Sequence, residues 1–263
     1  MEKLLDEIES YWSTRTEGYS EVNHKELAGT QKNAWLKVLT SQFPDKPKEE
    51  IRILDIGTGP GFFPVILAEA GYHVDAVDYT EGMLEKAKEN AGDLCRNIRF
   101  LRMDAQKLDF EDNTFDVVIS RNLTWNLEHP DVAYREWVRV LKVGGRLLNF
   151  DANWYGYLYE EEQRKAYEND RKNVENNSLD DHYLCTDIER MERIALQVPL
   201  SKISRPQWDV KTLREAGLLG IRTDTEIWKT VWSEEERLNY QSTPMFMVTG
   251  VKPDHFLNLP VAA

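Results

Sequence analysis

Ile53-Leu54-Asp55-Ile56-Gly57-Thr58-Gly59-Pro60-Gly61 runs an apolar strand straight into three glycines spaced two apart, and an amphipathic segment follows. This order reads as a nucleotide-binding turn. Glycines at 57, 59 and 61 let the chain reverse tightly and let its backbone approach a ligand more closely than any Cβ permits. A dinucleotide fingerprint requires G-x-G-x-x-G, with small residues where a pyrophosphate rests on the helix N-terminus, and here the sixth position of that register is Phe62. That bulk argues against a pyrophosphate, and with it against an NAD-dependent oxidoreductase.

Outward from the turn, short apolar runs alternate with helix-period segments, the signature of βα units around a parallel sheet buried on both faces. Strands are expected at 51–56, 73–78, 98–103, 115–120, 146–150, about 220–228 and 245–251, the last two pairing as a hairpin. The fold class is therefore α/β: a Rossmann-like, seven-stranded, mostly parallel sheet with helices on both faces and the last strand antiparallel. The helix after the glycine turn places Phe63, Ile66, Leu67 and Ala70 on one stripe, and the next one turns Met83, Leu84, Ala87 and Ala91 toward the sheet before Gly92. Residues 1–45 read as an N-terminal helical cap, 46–152 and 206–253 as the core, 153–205 as a lid insertion without the βα rhythm, and 254–263 as a tail.

The chain has 263 residues, 41% hydrophobic and 30% charged, enough for one domain with a cap. A net charge of −13 opposes the phosphate backbone of nucleic acid, so DNA and RNA are not expected partners. Cys95 and Cys185 are far apart and outside any C-x-x-C, which suggests neither a disulfide framework nor a thiolate metal site and suits a reducing cytoplasm. The charged start, Met1 to Glu7, is no signal peptide, and no apolar run is long enough to span a membrane. A cytoplasmic monomer or homodimer with a small-molecule partner is expected.

Asp78 lies 21 positions after Gly57, at the carboxyl end of the second strand, where an open α/β sheet presents its ligand crevice. A carboxylate there can accept from both hydroxyls of a ribose, which supports a nucleoside without choosing among cofactors. Met103-Asp104-Ala105 closes the third strand at the same edge, where a carboxylate can accept from an adenine amine.

The D-x-G-x-G-x-G spacing from Asp55 to Gly61 resembles the first motif of class I S-adenosylmethionine-dependent methyltransferases. So do Asp104-Ala105-Gln106-Lys107-Leu108, Phe115-Asp116-Val117-Val118 and the run from Arg139 to Leu147 through Gly144-Gly145, a resemblance covering roughly residues 51–152. It implies S-adenosylmethionine as cofactor and S-adenosylhomocysteine as product. It also implies that Asp55, Gly57, Thr58, Gly59 and Gly61 surround the methionine and ribose portion. Asp78 and Tyr79 with Met83 would hold the ribose and adenine, Asp104 with Ala105 the adenine edge, and Arg121 and Asn122 would sit beside the sulfonium and the acceptor. Ser120-Arg121-Asn122-Leu123-Thr124 departs from the N-P-P-Y-like sequence of DNA and protein-amide methyltransferases, so a flipped base is not the indicated acceptor. Two distant cysteines likewise do not fit the arsenic methyltransferases.

Residues 11–19, Tyr-Trp-Ser-Thr-Arg-Thr-Glu-Gly-Tyr, resemble the leader of methyltransferases acting on quinones, lipids and other small metabolites. Aromatic faces attract a sulfonium as they attract ammonium, so Tyr19 and Tyr11 are candidate cofactor contacts, with core packing the alternative for Tyr11 and Trp12. Six of the eight tryptophans lie outside the βα segment at 51–152, which reads either as an aromatic lid over a small acceptor or as rings that give a thin cap enough buried area to fold. Trp154 and Tyr155, directly after the fifth strand, and Trp125, after the fourth, are the candidate substrate contacts. Histidines 24, 73, 129, 182 and 255 show no metal-ligand spacing, and no metal is expected. His129, before Pro130 at a helix start, is the one weak candidate for a base. The expected function is methyl transfer to a small molecule by direct in-line displacement, which rests on positioning more than on acid or base groups. The rivals are a binding partner that keeps the nucleoside site without turnover and the oxidoreductase disfavoured by Phe62.

Overall fold

A computed structural model describes residues 4–183 and 186–254; Cys185, His255 and the expected tail from 255 onward lie outside the described residues. Two helices, α1 (Leu4–Ala28) and α2 (Gln31–Thr40), precede the sheet. Then follow β1 (Arg52–Ile56), α3 (Phe62–Glu69), β2 (His73–Asp78), α4 (Glu81–Ala91), β3 (Ile98–Arg102), β4 (Phe115–Arg121), α5 (Pro130–Val140) and β5 (Leu141–Asp151). The segment after β5 holds α6 (Glu161–Asn176) and α7 (Ile188–Ala195), and the chain returns through α8 (Gln207–Glu215), β6 (Leu219–Asp224), α9 (Trp228–Val231), α10 (Glu234–Asn239) and β7 (Phe246–Val251).

The seven strands lie in the order β3-β2-β1-β4-β5-β7-β6. The first five are mutually parallel, and β7 runs antiparallel to both β5 and β6. The sixth and seventh strands pair as expected but not as a hairpin, because β6 stops at Asp224 and two helices intervene. The Asp224 carboxylate accepts from the Glu226 backbone N–H at 2.8 Å, an Asx turn that bends the chain before Trp228. The fifth strand runs longer than its apolar stretch, from Leu141, with a left-handed Gly144 (φ +77°) on its way.

Strands β1 and β4 are buried on nearly every residue, as a sheet covered on both faces requires. One face packs under α2 and α3: Trp35 meets Phe63 and Phe150 edge-on at 5.1 and 5.0 Å. The other packs under α5 and α8 through Tyr134, Trp137 and Leu213. Helix α3 differs from its expected stripe: every residue from Phe62 to Ala68 is buried, because α1 and α2 cover the side the pattern leaves outward. A helix apolar all round belongs inside, and this one is roofed by the N-terminal helices.

Trp35 is 1% exposed and joins α2 to α3 and β5. Trp35→Ala is expected to lower the unfolding free energy by about 3–5 kcal/mol. Urea titration followed by far-UV dichroism checks it; an unchanged midpoint would show that α2 does not depend on this ring.

Candidate active site

At the carboxyl ends of the parallel strands the glycine turn is stitched to β2. Gly57 and Thr58 N–H both donate to the Val77 carbonyl, at 2.8 and 3.0 Å, and Gly59 N–H donates to Asp78 Oδ2 at 2.8 Å. Thr80 N–H donates to Asp78 Oδ1 at 2.9 Å, so one carboxylate is held by backbone from both sides and keeps lone pairs for further donors. Burial raises the Asp78 pKa, while the hydrogen bonds from Thr80 and Gly59 pull it back. Gly57, at φ +70°, has no room for a side chain: a Cβ would stand 2.7 Å from Leu123. Gly61, at φ +90°, serves another purpose. Its missing Cβ lets α3 approach Ala87 of α4, and it does not border the cleft.

The cleft opens to solvent, and its empty space, counted out into that opening, is about 840 Å³. Of the expected cofactor residues, Tyr19, Gly57, Gly59, Asp78, Tyr79, Met83, Asp104, Ala105, Arg121 and Asn122 line it. Asp104 is fixed by the Gln106 backbone and side-chain N–H groups at 2.9 and 3.1 Å, and the Ala105 carbonyl accepts from Trp137 Nε1 at 2.9 Å. Asn122 takes a left-handed conformation, φ +56°, and its N–H donates to the Phe150 carbonyl. Its Oδ1 and that of Asn126, both on cleft residues, are buried and accept no hydrogen bond from the protein. Acceptors in that state call for donors from a ligand.

Arg121 borders the cleft, but its charge is already answered. Nη1 and Nη2 donate to the two Glu26 carboxylate oxygens at 2.7 and 3.0 Å, and Trp35, Phe62 and Phe63 ring the guanidinium at 4.7–5.3 Å. Burial works against this charge, yet Glu26 outweighs it and the pKa is raised. Phe62, at the first position of α3, is 1% exposed. The helix N-terminus that a pyrophosphate needs is thus closed by a ring packed against Arg121.

Several expected site residues stand elsewhere. Asp55 and Thr58 are buried beneath the turn and do not line the cleft. Tyr11 is 3% exposed, meets Trp12 edge-on at 5.4 Å and packs in a cluster with Ile8, Trp125 and Tyr155. Trp125 and Tyr155 pack on each other at 4.9 Å in that cluster, and Trp154 donates Nε1–H to Asp151 Oδ1 at 3.0 Å and meets Tyr240 at 5.3 Å. None of these three rings lines the cleft. His129 is exposed at the start of α5, 3.8 Å from Glu128, and is likewise off the cleft wall.

Apart from Tyr19, the residues α1 brings to the cleft escaped the sequence reading. Leu5, Ile8, Glu9 and Trp12 line the cleft with Tyr19, whose ring lies 3.4 Å from where a Gly59 Cβ would stand. The signal was present: positions 5, 8, 12, 19 and 26 follow the helical period, ending on the partner of Arg121. Gln106, inside the string at 104–108, also lines the cleft, as do Asn126 to Glu128, which no motif announces. Among the described residues no group of three or more His, Cys, Asp and Glu side chains is arranged to hold a metal, and no helix is long and apolar enough to cross a membrane.

The sheet order with β7 antiparallel, the glycine turn at the strand ends and the acids closing β2 and following β3 are features of the class I S-adenosylmethionine-dependent methyltransferase fold. Residues 54–149 match the family model described as methyltransferase domain. A demethylmenaquinone methyltransferase of Paenarthrobacter aurescens is 34% identical over 149 residues, 56% of this chain and 56% of that one. The chain spans about half the length of the curated relatives it matches. Among solved structures, a candidate S-adenosylmethionine-dependent methyltransferase of Methanococcus maripaludis superposes with TM-score 0.61 at 20% identity, over 93% of this chain and 95% of that one. The Haemonchus contortus phosphoethanolamine N-methyltransferase 2 bound to S-adenosylmethionine gives TM-score 0.61 at 18% identity, over 88% and 56%. At such identities the likeness is one of fold alone.

Two outcomes are expected of this geometry. Asp78→Ala should weaken binding of S-adenosylhomocysteine by about 1.5–3 kcal/mol in a folded protein, because it removes charge-assisted acceptors; titration calorimetry decides, and an unchanged dissociation constant would take Asp78 out of the site. Asp55, 2% exposed, has its pKa raised by burial from 3.8 to about 7, with the Thr58 hydroxyl and Arg121 opposing. A raised carboxyl stabilises the fold below its unfolded value and loses that contribution as pH rises through about 7. Asp55→Asn should therefore gain on the wild type, by on the order of a few kcal/mol, between pH 4 and 8 in urea melts. A constant difference across that range would show the carboxyl to titrate normally.

Proposed function

We propose that the cleft binds S-adenosylmethionine and that the chain transfers its methyl group to an uncharged, apolar ring acceptor of the quinol kind. The residues present suit the cofactor: Asp78 and Asp104 offer carboxylates to hydroxyls and an amine, Gly59 lets the backbone come close under Tyr19, and Asn122 and Asn126 offer unused acceptors. Bound there, S-adenosylmethionine supplies an electrophilic methyl carried on a sulfonium. The chain's part is to orient that group, to exclude water and to hold an acceptor in line, which is worth on the order of 7–11 kcal/mol when the geometry is good.

One observation carries the choice of acceptor. Among the described residues lining the cleft, Arg121 is the one lysine or arginine, and it is bound by both oxygens of Glu26. A phosphate or carboxylate on the acceptor would find no partner and would face Glu9, Asp78, Asp104 and Glu128 instead. An uncharged ring would find Leu5, Ile8, Trp12, Met103, Leu123 and Leu127. This favours the quinone-type acceptor named for the bacterial relatives over the phosphobase named for the nematode structure. Trp125, Trp154 and Tyr155, with the segment at 153–205, would enclose the ring from the far side of the turn after β4.

The test is transfer of labelled methyl from S-adenosylmethionine to demethylmenaquinol and, in parallel, to phosphoethanolamine. Label is expected on the quinol alone. Label on phosphoethanolamine would overturn the charge argument, and cofactor binding without transfer to either would leave the cofactor reading standing and remove the quinol.

A further inference from the structure

Gln106, on the cleft wall beside Asp104, has both ends of its side-chain amide engaged. Its Oε1 accepts from the His129 backbone N–H at 2.6 Å, and its Nε2 donates to Asp104 Oδ1 at 3.1 Å. A backbone N–H can only donate and an ionised carboxylate can only accept, so the amide has one orientation; turned over, it would set oxygen against carboxylate and N–H against N–H. Gln106 is thus held from both sides by groups whose roles cannot be exchanged. Its own backbone N–H supplies a second donor to Asp104 Oδ1, at 2.9 Å.

The two oxygens of Asp104 are left unequal. Oδ1 carries both of those bonds, whereas Oδ2 has, among the described residues, only the same Nε2 at 3.4 Å. The last torsion of an aspartate is broad, so a carboxylate held at one point alone can still swing. Here the backbone of Gln106 supplies one point, and Nε2, reaching Oδ1 and at longer range Oδ2, supplies the second. Oδ2 therefore keeps its lone pairs for a donor on a ligand. The far end of the same amide is tied to the wall: His129 immediately precedes α5, and Asn126, Leu127 and Glu128 just before it line the cleft.

We propose that Gln106 is the positioning residue that makes the cleft selective for an adenine base, by holding the Asp104 carboxylate with Oδ2 free for the exocyclic amine. The proposal rests on the cleft being the S-adenosylmethionine site. An amine N–H meets a fixed acceptor there, whereas a base with a hydrogen in place of the amine leaves that acceptor unpaired, and a base with an oxygen brings lone pairs against lone pairs. Gln106 acts through Asp104 and not on the base itself. Without the amide the carboxylate turns, the amine loses its aligned partner, and the affinity that the amine contributes falls while the rest of the nucleoside site is untouched.

The test is titration calorimetry on the full chain with two ligands, S-adenosylhomocysteine and its analogue with unsubstituted purine in place of adenine. The wild type is expected to prefer S-adenosylhomocysteine by on the order of 10–100-fold. Gln106→Met, similar in length but without the amide, should cut that preference by about tenfold while the purine analogue binds as before, and Gln106→Ala should do the same. In an Asp104→Asn chain, adding Gln106→Met should change the preference no further, because the effect runs through the carboxylate. Equal loss of both ligands would make Gln106 merely structural, an undiminished preference would leave Asp104 oriented without it, and a further loss on top of Asp104→Asn would put Gln106 on the base; each overturns the proposal. A wild type that binds both ligands equally takes Asp104 off the base and the proposal with it, whereas one that binds neither also brings down the cofactor reading.

Discussion

The segments that meet at the carboxyl edge of β4 and β5 hang from the carboxylate of Asp151, at the end of β5. It is wholly buried and fully engaged: Oδ2 accepts from Arg205 Nη1 at 2.7 Å and Trp125 N–H at 3.0 Å, and Oδ1 from Trp154 Nε1 at 3.0 Å and Ala152 N–H at 2.9 Å. Arg205 forks on to Asp209 at 2.6 and 2.9 Å, and Asp209 accepts from the Tyr134 hydroxyl at 2.5 Å. Burying such charges is costly unless each is paired, and losing one partner of such a set typically costs about 3–5 kcal/mol. The set therefore tolerates only one arrangement of the chains that bring its members. The turn after β4, the start and end of the segment after β5, and α8 are locked together by groups that have no other place to go.

A second buried pair fixes α1 in the same way, though only at one end. Glu26 meets Arg121 inside the protein, and Asn90 of α4 bridges the Pro60 carbonyl of the glycine turn at 2.9 Å and Ser20 Oγ of α1 at 3.1 Å. Toward its N-terminus the helix is held by Glu9 to Arg102, Glu17 to Lys86 and Ser10 to Arg190, all partly exposed. Exposed pairs contribute about 0.2–1 kcal/mol each. The half of α1 that carries Tyr19 and Glu26 is thus pinned beside the glycine turn. The half that carries Ile8 and Tyr11 has no such buried ion pair among these contacts and is seated in the apolar cluster with Trp125 and Tyr155.

The βα core was legible because its signals are local. An apolar run bounded by Gly57 or Gly92, or an acid at a strand end, reports its own conformation within a few residues. That locality explains why strands one to four and the positions of Asp78 and Asp104 came out of the sequence, and why the end of β6 did not: Asp224 terminates it through a hydrogen bond no periodicity announces. Glu26 and Arg121, 95 positions apart, and Arg205 and Asp151, 54 apart, are ordinary surface-type residues in sequence and acquire meaning only when the fold brings them together. The aromatic residues were noticed, but their number could not say which ring faces a cleft and which another ring.

The same division separates what this chain shares with its relatives from what is its own. The family match covers residues 54–149, the part that carries the glycine turn, Asp78, Asp104 and Arg121. Leu5 to Glu26 and the rings at 154 and 155 lie outside it. The segments outside it are anchored by Glu26 and Arg205, whose partners, Arg121 and Asp151, sit at the ends of adjacent strands β4 and β5. The sheet therefore offers one cation and one anion at its carboxyl edge, and the private parts of the chain each bring the opposite charge to meet them.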